Sequence, residues 1–274
     1  MDFKERVHLG RTGMRVSRMG LASGYGVPTA AIEKAFHEHR VNYFYLSLLS
    51  RGRMARAIRN LAPRHRDELH VVLARPTRGG YFLRRFVDRW LEKLGLERVD
   101  AVLLQDQRKP PGPELIDRVH RLRESGKVRF VGMSSHDRPF VGRVARGEVQ
   151  APVDFLQLRY NAVHRGAEQD VFPFLPRENR PGVVVFTATC WGKLLQPRLV
   201  PKGERPLKPA DCYRFVLSHP AVDVCITGPS TAEELEENLE ALSAGPLGEE
   251  EMARVRRIGE HIHGSGKAAP IFVR

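Results

Sequence analysis

The sequence predicts an α/β protein built as a (β/α)₈ barrel, the TIM-barrel fold. Short apolar runs rich in β-branched residues alternate eight times with longer amphipathic segments. The length of 274 residues is close to the roughly 250 residues that such a barrel needs. No linker and no shift in composition divides the chain, so we expect one domain over residues 1–274.

Eight segments carry the strand pattern of short runs rich in valine, isoleucine and aromatic residues. They are residues 16–21, 41–45, 70–75, 99–105, 128–133, 153–158, 182–187 and 222–227. Strands that alternate with helices run parallel, and an unbroken series of eight favours a sheet that closes on itself. The sequence therefore predicts one closed, parallel sheet.

Helical patterns fill the segments between these strands, and some have clear start and stop signals. Pro113 and Glu114 suit the beginning of a helix, and Gly126 suits its end. The predicted helices cover residues 28–40, 53–62, 82–95, 113–126, 137–147, 168–178, 209–218 and 231–243. A further amphipathic helix is predicted over residues 249–263, after the last strand.

The composition is that of a globular chain, with 42% hydrophobic and 28% charged residues. The first residues carry mixed charge, and no run of 18 apolar residues occurs, so we expect a cytoplasmic protein without a membrane span. The cysteines at 190, 212 and 225 lack the spacing of a zinc site, so we expect no metal.

The net charge of +13 suits anionic partners such as phosphorylated cofactors, nucleic acid or membrane surfaces. The arginines are scattered over helical segments, which favours solvated helix faces over one binding surface. The sequence has no zinc finger, recognition helix or basic stretch interleaved with aromatic residues. Nucleic acid is therefore not the expected partner.

Several predicted strands end at residues whose side chains can take part in binding or catalysis. Active sites of (β/α)₈ barrels lie at the carboxyl ends of the strands, where the βα loops meet. The residues at these ends are Tyr45, Arg75, Gln105, Ser134, Gln157, Phe186 and Gly228. The sequence thus predicts a polar pocket at the barrel mouth.

Four motifs in order along the chain resemble the aldo-keto reductase superfamily. Residues 9–21 (LGRTGMRVSRMGL) are similar to its opening hairpin and first strand, and residues 126–135 (GKVRFVGMSS) to its fifth strand. Residues 157–161 (QLRYN) resemble the strand-six motif, and residues 228–238 the segment that binds the cofactor. The resemblance implies a barrel with an N-terminal β-hairpin and an extra C-terminal helix.

The resemblance also implies a site for NADP, with NAD as the alternative because Ser230 stands where the family often has an arginine or lysine for the 2′-phosphate. Ser134 and Gln157 would bind the nicotinamide carboxamide, beside Ser135 in place of an asparagine. The other matching positions are Phe186 for ring stacking, Thr187 and Gly228 along the cofactor, the helix start at Ser230 for phosphate, and Glu237 and Asn238 for adenine.

The catalytic tetrad of the family is replaced in this sequence. The family has an Asp ending strand two, a Tyr five residues later, a Lys ending strand three and a His ending strand four. Those positions here hold Tyr45, Ser50, Arg75 and Gln105. Arg75 stays protonated, so it can stabilise an oxyanion but cannot usefully give a proton away.

Tyr45 is the candidate proton donor, because a phenol next to the Arg75 cation would have a lowered pKa. The alternative is that Tyr45 only packs the top of the barrel. Tyr25, His136 and Arg159 are also expected near the mouth, and a pocket with arginines favours an anionic ligand.

Two functions therefore stay open. The first is an NAD(P)H-dependent oxidoreductase that acts on a small carbonyl or alcohol substrate with an atypical active site. The second is a catalytically weak or inactive protein that binds NAD(P)H as a sensor or regulator. A shared fold does not decide between them, because the reaction depends on the residues at the site.

Overall fold

Eight parallel strands form a closed barrel among residues 1–47, 52–76, 82–151 and 153–267, which the computed structural model describes. The strands in chain order are β1 (Val7–His8), β2 (Arg15–Val16), β3 (Met19–Ala22), β4 (Tyr43–Leu46), β5 (His70–Pro76), β6 (Val99–Gln105), β7 (Val128–Ser135), β8 (Phe155–Arg159), β9 (Gly182–Phe186) and β10 (Val224–Thr227). Each barrel strand from β3 onwards pairs with the next, and β10 pairs with β3 to close the ring. The predicted (β/α)₈ fold is confirmed.

The expected N-terminal hairpin is formed by β1 and β2, which pair antiparallel with Val7 opposite Val16. The first barrel strand therefore begins at Met19 rather than at Val16. Residues of the hairpin, Leu9 and Met14 among them, pack against the barrel interior. Gly10 makes this approach possible: its φ is +46°, and a Cβ there would lie 2.2 Å from the backbone nitrogen of Gly182. The hairpin thus covers the end of the barrel where the strands begin.

Helices surround the barrel in the order that the sequence predicts. They are α1 (Thr29–His39), α2 (Arg53–His65), α3 (Leu83–Leu94), α4 (Pro113–Glu124), α5 (Arg138–Ala145), α6 (Ala167–Asp170), α7 (Pro209–Leu217), α8 (Ala232–Ala244) and α9 (Glu249–Gly264). The extra helix predicted after the last strand is α9.

One predicted helix is much shorter than expected. In place of a helix over residues 168–178, the chain forms the single turn α6 and then a 3₁₀ turn at Phe172–Phe174. Pro173 and Pro176 lack the backbone N–H that continues a helix, and their rings clash with the preceding turn. The periodic apolar pattern alone did not reveal this interruption.

Alternation along the strands decides which side chains enter the barrel. In β5, Val72 and Ala74 belong to the interior cluster, whereas Val71 and Leu73 belong to the layer between sheet and helices. Tyr43 and Tyr45 of β4 both join the interior set. The inward positions nearest the carboxyl ends of the strands therefore line the mouth.

A ring of four side-chain acceptors holds the other end of the barrel. The acceptor ring consists of Asn42, Asp100, Asp154 and Asp223, at or just before the beginnings of β4, β6, β8 and β10. Each side-chain oxygen accepts a backbone N–H from the first half of the preceding barrel strand or from the residues just before it. The donors are Ser17 at 2.7 Å, Val71 at 2.9 Å, Val131 at 2.8 Å and Val183 at 2.8 Å.

Arginines neutralise the buried carboxylates of the acceptor ring. Asp100 is almost fully buried and pairs with Arg66 at 3.2 Å and Arg129 at 3.5 Å. Asp223 forms a two-pronged pair with Arg180. Such pairing offsets the desolvation of a buried charge, which would otherwise be strongly unfavourable.

We expect the Asp100→Ala variant to lose on the order of 3 kcal/mol of unfolding free energy, because it leaves a buried N–H without an acceptor and removes the carboxylate that pairs with Arg66 and Arg129. Asp100→Asn keeps an acceptor oxygen and should lose about 1 kcal/mol. Urea unfolding measures both values. Asp67→Ala is the control, since the exposed pair of Asp67 with Arg98 should contribute less than about 1 kcal/mol. Equal losses in Asp100→Ala and the control would contradict this role.

Candidate active site at the barrel mouth

A cavity of about 300 Å³ lies at the carboxyl ends of the strands. It brings together many of the residues that the sequence marks as site candidates. Its lining is Ala22, Tyr25, Tyr45, Gln105, Ser134, His136, Gln157, Phe186, Thr187, Ala188, Thr189, Trp191, Tyr213, Ile226, Thr227 and Gly228. Polar and aromatic side chains that converge in one concave site are typical of a pocket for a small molecule.

The Tyr45 phenol is held by the Gln105 amide inside this cavity. The Gln105 side chain donates from Nε2 to the phenol oxygen at 2.7 Å, and the nearby Gln157 amide also acts to lower the pKa of the phenol. Because the phenol oxygen accepts the bond from Gln105, its own proton is available to an acceptor in the cavity.

The protonation of Tyr45 differs from the expectation. Burial raises the pKa of Tyr45 to about 12, and the nearby Tyr25 phenol acts in the same direction. The amides of Gln157 and Gln105 oppose the shift without cancelling it. The predicted lowering of this pKa by a neighbouring cation is therefore wrong, and the phenol is protonated at neutral pH.

Arg75 explains this difference, because it does not line the cavity. It follows the inward-facing Ala74, so its side chain lies on the opposite face of β5, towards the helices. Its guanidinium carbon is 5.4 Å from the centre of the Phe86 ring of α3. The expected contact between Arg75 and Tyr45 is thus corrected. Ser50, the remaining tetrad position, lies outside the described residues.

Ser134 and Gln157 are neighbours on β7 and β8, as the sequence predicts, and both line the cavity. The Ser134 hydroxyl accepts the Asp106 N–H at 3.2 Å, and its own proton can be donated elsewhere. The Gln157 Oε1 atom is buried and accepts no hydrogen bond from the described part of the chain. An acceptor without a partner beside a hydroxyl donor matches the NH₂ and C=O groups of a carboxamide.

Ser135 does not join this pair, although the sequence groups it with Ser134. Adjacent residues of a strand point to opposite faces, and Ser135 lies on the face towards α5. Its hydroxyl accepts the Asp137 N–H at 3.0 Å, and Asp137 caps α5 by accepting the Phe140 N–H at 3.0 Å. Ser135 therefore shapes the turn into α5, outside the cavity.

The loop after β9 forms one wall of the cavity with a strained backbone. Phe186 ends β9 and meets the His136 ring edge-on, with centroids 5.5 Å apart. Thr187 next to it has a φ of +63°, a left-handed conformation that is rare for a β-branched residue. The Asn161 amide fixes this turn by donating to the Thr187 carbonyl at 2.8 Å. Such strain often accompanies a binding site.

The beginning of α8 differs from a free phosphate site. The Ser230 N–H donates to the Glu234 carboxylate at 2.6 Å, and Thr231 caps the helix by accepting the Glu234 N–H at 3.2 Å. The Ser230 N–H, which the sequence predicts for phosphate, is therefore already engaged. The carboxylates of Glu233 and Glu234 in the first turn add negative charge.

The two residues predicted for adenine separate in the structure. Glu237 is exposed on α8, whereas Asn238 is buried. The Asn238 amide donates to the Thr227 hydroxyl at 2.9 Å, and this hydroxyl also bonds the Tyr213 phenol at 2.7 Å. Asn238 thus supports the cavity wall from behind.

Tyr213 and Thr227 were missed by the sequence analysis. Tyr213 comes from α7, whose pattern indicated only an outer helix, yet its ring reaches the cavity past β10. Thr227 lies on the last predicted strand without a distinguishing motif. Neither residue carries a sequence signal. Their positions at the cavity depend on the packing of α7 and α8 against β10, which brings Tyr213 and Asn238 to the Thr227 hydroxyl.

A family model described as the Aldo/keto reductase family matches residues 77–209 and 204–260, which is more than half of the chain. The match begins after Tyr45, Ser50 and Arg75, three of the four altered tetrad positions. No curated protein matches the chain. Among the described residues, no helix has the length and apolar composition to cross a membrane, and no group of three or more His, Cys, Asp or Glu side chains could hold a metal ion.

The raised pKa of Tyr45 can be measured by an ultraviolet difference titration. Subtracting the Tyr45→Phe curve from the parental curve should leave one phenol that ionises near pH 12 instead of near its ordinary value of about 10. Because the folded pKa is the higher one, Tyr45 contributes stability that is complete below about pH 10 and is lost as the pH rises towards 12. A phenol that ionises at or below pH 10 would contradict the buried environment.

Proposed function

The chain belongs to the aldo/keto reductase family, and we propose that it is an oxidoreductase that binds a nicotinamide dinucleotide at the barrel mouth. Its substrate is a small molecule with a carbonyl or alcohol group. The observation that carries the proposal is the meeting of the unsatisfied Gln157 oxygen, the Ser134 hydroxyl and the Tyr45 phenol in one cavity. The cytoplasmic location and the single domain remain predictions of the sequence.

The nicotinamide end of the cofactor fits the residues present. Gln157 Oε1 would accept the carboxamide NH₂, and the Ser134 hydroxyl would donate to its carbonyl oxygen. The Phe186 ring at the wall offers an apolar face for stacking. When bound, the cofactor gives or takes a hydride at the substrate carbon.

Tyr45 would donate its proton to the substrate oxygen while Gln105 orients the phenol. An alkoxide that forms on hydride addition is the base of an acid about as weak as water, whose pKa is 15.7. A phenol with a pKa of about 12 therefore protonates it favourably. The acid is weaker than an ideal one near neutral pH, so we expect slow turnover.

A second function is supported by the same phenol. Arg75 faces away from Tyr45, and burial keeps the phenol weakly acidic. A site that binds the cofactor without a tuned proton donor would suit a sensor or regulatory protein. Turnover separates the two functions, because both require cofactor binding.

The cofactor preference follows from the charge at α8. We assign NADP or NAD to the site, and the carboxylates of Glu233 and Glu234 at this helix start would repel a 2′-phosphate. The Ser230 N–H is also occupied by Glu234. These contacts favour NAD over the NADP that the sequence motifs suggest.

Titration with NADH and NADPH, followed through Trp191 fluorescence, should give saturable binding with NADH the tighter ligand. Gln157→Leu should weaken binding about 5-fold to 150-fold, since it removes an acceptor worth about 1–3 kcal/mol. Gln169→Leu, at an exposed position of α6, is the matched control. If neither dinucleotide binds the parental protein, the proposed function is wrong.

Tyr45→Phe should lower kcat for reduction of a panel of aldehydes and ketones by about 100-fold or more, because it removes the proton donor. The affinity for NADH should stay within about twofold of the parental value, so that a folded, loaded site is confirmed in the same samples. Equal turnover by the variant would show that Tyr45 is not the proton donor. Absence of turnover in the parental protein, with tight NADH binding, would favour the sensor.

A further inference from the structure

Arg159 is a half-buried cation that lines a small cleft next to the cavity, and it has no carboxylate partner among the described residues. It ends β8 two residues after Gln157, directly opposite Phe186 in the strand register. Nearby arginines are paired instead: Arg138 with Asp170, and Arg256 with Glu168. Arg159 thus stands apart from the ion pairs that bind the neighbouring helices together.

The surroundings of Arg159 hold it in place. Its guanidinium carbon lies 5.7 Å from the centre of the Trp191 ring, within the range of a cation–π contact. Arg159 also lines a narrow cleft of about 30 Å³ on the α5 side of β7 and β8, whose other lining residues are Ser135, His136, Arg138, Val141, Leu158 and His164. His136 lines both this cleft and the main cavity, so the two are adjacent.

The two histidines add polar groups without adding charge. Burial and the positive charge of Arg159 lower the pKa of His164 to about 4 and shift the pKa of His136 in the same direction. Both rings are therefore neutral at pH 7. Asp106 is the acid that acts on His136, and it lies at the exposed surface beside Arg108.

A guanidinium that is partly removed from water, and that no carboxylate neutralises, carries a desolvation cost that an anion can offset. The rigid, planar donor set of arginine matches a carboxylate or a phosphate. The ring nitrogens of His136 provide a further polar contact at the border with the main cavity.

We propose that Arg159 and His136 form a subsite for an anionic group, and that the substrate is a carbonyl compound that carries a carboxylate or phosphate. The proposal rests on the proposed function and names the substrate class of that site. Tyr45 on β4 and Arg159 on β8 are four strands apart in a ring of eight, hence on opposite sides of the mouth. The carbonyl and the anionic group are therefore separated by several bonds, as in an aldehyde acid with an extended or aromatic spacer.

The test compares 4-carboxybenzaldehyde with its neutral methyl ester by isothermal titration calorimetry, on protein without cofactor and on protein saturated with NAD⁺, which has no hydride to give to the aldehyde. We expect the parental protein to bind the carboxylate at least tenfold more tightly than the ester. Arg159→Gln should remove this difference, and Arg159→Lys should keep part of it because it retains the charge. Arg177→Gln, at an exposed position, is the control and should retain the parental preference.

The outcomes separate the two possible sources of the anion. A loss of NADH affinity in Arg159→Gln with an unchanged carboxylate preference would assign Arg159 to the cofactor pyrophosphate and overturn the substrate subsite. Equal binding of acid and ester by the parental protein would also overturn it. A carboxylate preference that depends on Arg159 in a protein that binds no dinucleotide would support the subsite while refuting the proposed oxidoreductase.

Discussion

The acceptor ring at the beginnings of alternate strands is the constraint on which the rest of the barrel depends. Each of its side chains ties one strand to the preceding one and so fixes their stagger. In a strand, a shift of one residue exchanges the inner and outer faces. The placement of Tyr45, Gln105, Ser134 and Gln157 in the mouth is therefore secured from the opposite end of the barrel.

The sequence predicts the fold well because a β-strand and an amphipathic helix each carry their own period. It predicts the site less completely, because a motif gives a position without giving the face. Arg75 and Ser135 are one residue away from inward positions, and each points towards the helices instead. The alternation of side chains along each strand predicts that Ala74 and Ser134 face inward. The alignment with the family's motifs nevertheless selected their neighbours, Arg75 and Ser135.

Other features depend on packing that no local pattern contains. The pKa of Tyr45 rises because the phenol is buried between strands distant in sequence. The Glu234 carboxylate folds back onto the Ser230 N–H, which changes the charge expected at α8. Tyr213 reaches the cavity only because α7 packs against β10. Tertiary contacts, rather than residue types, determine these properties.

The spacing within the acceptor ring has a consequence for how the chain folds. The bonded residues are only 25, 29, 23 and 40 positions apart, so each bond closes a loop about as long as one βαβ unit. Short loops cost less entropy to close and favour rapid folding. The pairing of β10 with β3, with Cys225 opposite Met19, instead joins the two ends of the barrel. We therefore infer that four locally closed units assemble first and that this seam forms last.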